Sequence, residues 1–95
     1  MGVRAIDVEK QRKEIIEKLD ELYGFDFIED FVSLEEILDR NLSYDENILI
    51  LKQYLLEELL ISGHAQEIAR RIGNEAFLKL QEDLSISTFE QLMTS

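Results

Sequence analysis

The chain has no cysteine, no proline and no tryptophan, a single histidine (His64), and only four glycines in 95 residues, Gly2, Gly24, Gly63 and Gly73. Without cysteine there are no disulfides, thiolate nucleophiles or thiolate metal sites, so core packing has to hold the fold. Without proline, and with the glycines far apart, no stretch reads as a flexible linker or low-complexity tract. The whole length is open to helix. One histidine is too few for a histidine-rich metal centre, and the carboxylates lack the spacing and central glycine of a calcium loop. Isolated glycines supply no phosphate-cradling loop, and no serine sits in a nucleophile elbow. Adjacent acids such as Glu35 with Glu36, or Glu57 with Glu58, point in different directions from a helix and read as solvated faces rather than an acid–base pair. No run approaches the roughly 18 uninterrupted apolar residues of a membrane span, and Met1 to Val8 is short of the apolar run of a secretory signal. The expectation is a cytoplasmic binding protein, with no catalytic residue, no cofactor and no metal.

What is present is apolar residue and negative charge. Apolar residues make up 45% of the chain, more than disordered chains carry, so one packed domain over residues 1–95 is expected. Ten Lys and Arg against 21 Asp and Glu give a net charge of −11, unevenly spread. Residues 1–24 hold 5 basic and 6 acidic side chains, residues 47–95 hold 4 and 7, and residues 25–46 hold 1 and 8. The eight acids of the middle segment, Asp26, Glu29, Asp30, Glu35, Glu36, Asp39, Asp45 and Glu46, form the candidate partner-binding surface. Such a surface repels phosphate backbones and anionic lipid and steers basic partners toward the protein. It can also imitate the charge of a nucleic-acid backbone and occupy a basic groove on a DNA- or RNA-handling protein.

Periodicity predicts an all-α fold, a small bundle of four main helices at about 8–23, 34–40, 44–61 and 64–84. Val8, Ile15 and Leu22 recur every seven positions, Ile16, Leu19 and Tyr23 widen the stripe, and Gly24 followed by Phe25 forms a stop. The aromatic and acidic stretch Phe25 to Val32 predicts a helical turn near 27–32. Ser33 with Glu36, and Ser43 with Glu46, are capping-box patterns for the next two helices, and Asn41 is the expected stop between them. The 44–61 helix is apolar nearly all round. Tyr44, Ile48, Leu51, Leu55 and Leu59 share one face, Leu49, Leu56 and Leu60 broaden it, and Ile50, Tyr54 and Ile61 reach the back. A helix of this kind needs neighbours on more than one side, either within the bundle or from a second copy in a homodimer.

From His64 to Leu84 the apolar phase runs straight through Gly73, which favours one continuous helix. Glycine inside a helix costs roughly 1 kcal/mol relative to alanine, so either a close crossing on the small-residue ridge of Ala65, Ala69 and Gly73 or a local break is expected there. Ser87 and Glu90 cap a short terminal helix whose Phe89, Leu92 and Met93 form a candidate apolar patch. Within the fourth helix, Gln66 to Asn74 resembles the first helix and turn of a bacterial helix-turn-helix motif, with Ala69 four residues before the turn glycine, Gly73. The resemblance spans nine residues. Six residues past the glycine that family carries an apolar residue, and this chain has Lys79. It implies a recognition helix over Glu75 to Asp83 and DNA binding by the 66–83 region through Arg70, Arg71 and Lys79, although that helix is net acidic. The leading expectation is a small acidic regulator or inhibitor that binds a basic protein partner, and DNA binding is the alternative.

Overall fold

The computed structural model describes residues 7–85 and 88–94. Among them there is no strand, and the fold is all-α. Helix α1 spans Val8–Tyr23; α2, Leu34–Ile37; α3, Tyr44–Tyr54; α4, Ala65–Ile72; α5, Asn74–Ser85; and α6, Thr88–Thr94. A 3-10 turn, Ile28–Asp30, lies between α1 and α2, and α3 runs on into a π-helical stretch, Leu55–Leu60.

The first helix starts where Asp7 accepts the Lys10 amide and stops at Gly24, whose φ of 71° is left-handed. The Gly24 and Phe25 amides then donate back to Asp20 and Leu19 at 2.8 and 3.1 Å. This double return turns the chain so that Phe25 enters the core. The buried stripe of α1 is Gln11, Ile15, Leu19 and Tyr23, an i,i+4 series, and Val8, Ile16 and Leu22 flank it half-buried. Tyr23 donates its hydroxyl to Asp83 of α5 at 2.7 Å. Burial first, and then this bond to a carboxylate, hold the phenol proton on well above its ordinary range.

The main helix contacts close into a ring. Helix α1 packs on α2 and α5, α2 on α3, α3 on α6, and α6 on α5. Inside the ring lies one cluster that includes Leu19, Phe25, Leu34, Leu51, Leu55, Leu80 and Phe89, each fully buried. Helix α4 hangs from α5 and contributes a single buried residue, Ile68.

Several expectations need correction. The second helix stops at Ile37 rather than near 40, because Leu38 turns extended (ψ 124°) to put its side chain in the core. Ser33 stands at the N-cap of α2 without a side-chain cap bond, whereas Ser43 and Glu46 make the full capping box of α3. The pattern at Ser87 lies outside the described residues. The chain widens to π-helix at Leu55. Leu51, Leu55 and Leu59 are spaced by four, longer than the 3.6-residue turn, and a wider turn brings Leu59 back over the core. All three are buried.

At Gly73 the local break, the alternative to a continuous helix with a close crossing, is what occurs. The apolar phase continues through it, yet the helix breaks there, with φ 95° and ψ 154°. Its amide closes α4 on Ala69 at 2.9 Å and its carbonyl opens α5 by accepting from Phe77 at 3.0 Å. One residue is at once the end of one helix and the start of the next. The break lets Ile68 and Leu80 both reach the core, each fully buried. The ridge of Ala65, Ala69 and Gly73 consequently makes no tight crossing, since Gly73 is exposed and a Cβ there would meet nothing within 4 Å. Gly73→Ala is therefore expected to cost about 1–3 kcal/mol through backbone conformation alone, read as a lower urea midpoint. A neutral or stabilised variant would show that 65–85 prefers to be one helix.

Candidate interaction surface

The eight acids of the middle segment are all exposed, set out by five short pieces of chain. Asp26 follows the Gly24 turn, Glu29 and Asp30 sit in the 3-10 turn, Glu35 and Glu36 form the first turn of α2, and Asp39 lies in the loop beyond it. Asp45 and Glu46 form the first turn of α3. Acids in first turns complement the positive end of the helix dipole, which accounts for four of them locally.

Other members are held by neighbours. Glu29 meets Arg12 of α1 at 2.7 Å, and Arg12 also holds Glu9 at 2.6 Å. The Arg12 bond lowers the Glu9 carboxyl below its ordinary value, and the bond to Glu9 raises the guanidinium. Asp39 accepts the Asn41 amide at 2.8 Å, and Glu46 accepts from the Ser43 hydroxyl at 3.1 Å. Asp26, Glu35, Glu36 and Asp45 make no ion pair among the described residues. The surface thus separates into charges spent within the fold and charges turned to solvent.

Asp30 belongs to a cross-link that residue patterns do not reveal. It pairs with Arg71 of α4 at 3.2 Å, and the Arg71 guanidinium lies 3.6 Å over the Phe27 ring. Phe27 in turn meets Phe25 at 4.7 Å and Phe31 at 6.0 Å, and Phe31 meets the His64 ring edge-on at 5.0 Å. The aromatic row runs from the buried Phe25 to the exposed His64 at the start of α4. Cation–π stacking and the ion pair together fasten α4 to the 3-10 turn. The signal in the sequence was only that Arg71 lies one turn from Ile68, and no local pattern says which aromatic it meets.

This cross-link bears on the basic trio of the 66–83 region. Arg71 is committed to Phe27 and Asp30, Arg70 lies 3.8 Å from Glu67, and Lys79 sits 6.0 Å from the Tyr23 ring. The connection between α4 and α5 is the single residue Gly73.

Comparison of the chain with protein-family models, with curated protein sequences and with solved structures found no significant match.

Among the described residues no three or more His, Asp or Glu side chains converge as metal ligands, and no helix is long and apolar enough to cross a membrane. A groove of about 280 Å³ between α1 and α6 is lined by Glu14, Glu17, Lys18, Glu21 and Met93, a further acidic surface. Phe89, expected in a terminal apolar patch, is fully buried, because α6 folds its one aromatic into the ring while Leu92 and Met93 stay half-buried. Exposed apolar residues appear instead at Leu49, Ile50, Ile61 and Leu78, with relative exposures of 41%, 36%, 75% and 59%. Leu49 was expected inward, but the core stripe of Ile48, Leu51 and Leu55 turns it to solvent.

Proposed function

We propose that this protein is a small acidic regulator or inhibitor that binds a basic protein partner and carries out no chemistry of its own. The observation that carries the reading is that all eight acids of residues 26–46 are exposed, while among the described residues only Arg12 and Arg71 reach into the segment from outside to pair with them. Exposed charge of one sign steers an oppositely charged protein and fixes its orientation more than it adds affinity. The arrangement suits occupation of a basic groove, including one that otherwise receives a nucleic-acid backbone.

Affinity capture from the source cell, with Asp26→Asn, Glu35→Gln and Glu36→Gln combined in one control protein, tests the proposal. These three side chains are exposed and make no ion pair among the described residues, so the variant is expected to melt within about 0.5 kcal/mol of the parent. It is expected to lose a captured basic partner about tenfold, chiefly through slower association. Equal capture by both proteins, at low and at high salt, would remove the acidic surface from the account. A low-salt mobility shift of duplex DNA that weakens steeply with salt would favour the DNA-binding reading instead.

A further inference from the structure

The outward face of α3 and its π-helical end carries a pattern that the acidic segment alone does not. One row of i,i+4 positions, Asp45, Leu49, Gln53, Glu57 and Ile61, is exposed throughout. Beside it runs a second row, Glu46, Ile50, Tyr54 and Glu58, in which Tyr54 alone is half-buried. Each row reads acid, aliphatic, uncharged, acid, and the first continues to the aliphatic Ile61. The two acid pairs stand twelve residues apart, about 18 Å along a helix axis, with Leu49 and Ile50 between them. No base interrupts the face, since Lys52, the one base on this helix, is half-buried and lies 3.8 Å from Glu90 of α6.

Resting on the reading of the protein as a binder of basic proteins, we infer that this face is the docking track for an amphipathic basic helix of the partner, one with Lys or Arg clusters about twelve residues apart and aliphatic residues between them. The charge pattern selects the occupant. A second copy laid in register on this face, parallel or antiparallel, sets an acid pair against an acid pair at both ends, and like charges opposed in this way cost affinity. A basic helix places a cation at each end and covers Leu49 and Ile50, which supplies the apolar centre that interfaces use for affinity.

The probe is a synthetic helical peptide with two basic clusters about twelve residues apart and leucines between. Its control has the same composition with all the bases at one end. Binding is followed by fluorescence anisotropy and by NMR shifts of the labelled protein. The two-cluster peptide is expected to bind at least about tenfold tighter than its control, and Ile50→Lys to weaken it by about tenfold. Glu57→Gln with Glu58→Gln is expected to weaken it and flatten its salt dependence. All three positions are exposed, and unchanged melting of the variants shows that the fold is kept. Equal binding of the two peptides, no binding of either, indifference to Ile50→Lys, or shifts confined to Asp26 through Glu36 would overturn the inference. So would a concentration-dependent dimer, by ultracentrifugation, that Ile50→Lys dissolves, because it assigns the face to a second copy. If a cellular partner is lost from the Asp26, Glu35 and Glu36 variant but not from Ile50→Lys, this inference falls and the proposed function stands. If neither variant loses the partner, both fall.

Discussion

Phe89→Ala is expected to destabilise the protein by about 3–5 kcal/mol, the range for removing a fully buried phenylalanine, and to lower its melting temperature by about 15–30 °C. Phe89 is fully buried, and it sits on a helix of seven residues that has too few turns to hold together unaided. Helix α6 closes the ring between α3 and α5, so the substitution leaves a cavity and also loosens the element that completes the core. Thermal melting and urea unfolding measure the effect. A loss below about 1 kcal/mol would mean that the ring holds without its last member. Leu92→Ala serves as the internal comparison, expected to cost less because Leu92 is half-buried.

The second large effect is expected at Asn47, which with Gln11 forms the polar pair at the centre of the fold, both fully buried. The Asn47 side chain accepts the Asp39 amide at 3.0 Å and donates to the Asp39 carbonyl at 3.0 Å. It thereby satisfies both backbone groups of one residue. It also donates to Gln11 Oε1 at 3.2 Å, so one amide ties the loop after α2 to α3 and to α1. Asn47→Ala strips three partners at once and is expected to cost about 2–4 kcal/mol, more than the roughly 1 kcal/mol of an ordinary hydrogen bond, because the partners stay in place without it. Asn47→Asp keeps the acceptor for the Asp39 amide but sets a carboxylate against two carbonyl oxygens, and is expected to be at least as costly. Gln11→Met should be mild by contrast. Gln11 Nε2 is buried without a partner in the structure, so the variant removes an unsatisfied donor along with one bond. Chemical denaturation of the three variants checks the order. Asn47→Ala no worse than Gln11→Met would show that the clasp on Asp39 contributes nothing net.

These two sites were unequally legible in the sequence. Phe89 was visible as an apolar residue on a short helix, but a seven-residue amphipathic stretch looks the same whether it docks or stays at the surface. Asn47 and Gln11 were not visible at all. An amide inside an apolar stripe reads as a tolerated polar residue until its partner, 36 positions away, is known. Gly73 left two outcomes open, a close crossing or a break, for a related reason. The 3.6-residue phase of Ala65, Ile68, Ile72, Ala76 and Leu80 is satisfied by one helix or by two, and periodicity records only that each piece is helical. The acidic surface was read more directly. Eight acids with one base among them have few ways to be buried, and all eight are exposed. What sequence spacing could not supply was the sharing of Arg12 between Glu9 and Glu29, or the meeting of Arg71 with Asp30 and Phe27, because both depend on which helices become neighbours.

Local chemistry, written along the chain, determined that it is helical, where Gly24 and Ser43 bound two of the helices, and that its middle is negatively charged. Those properties follow from short-range periodicity, capping and composition, which act within a turn or two of helix. Tertiary structure alone decided that the helix breaks at Gly73, that Phe89 belongs to the core, that Asn47 holds Asp39 and Gln11 together, and that Leu49 and Ile50 remain outside between two acid pairs. Each of these is a choice among faces that are locally equivalent. Only the closing of the helix ring, with a limited interior to fill, selects the face that is buried.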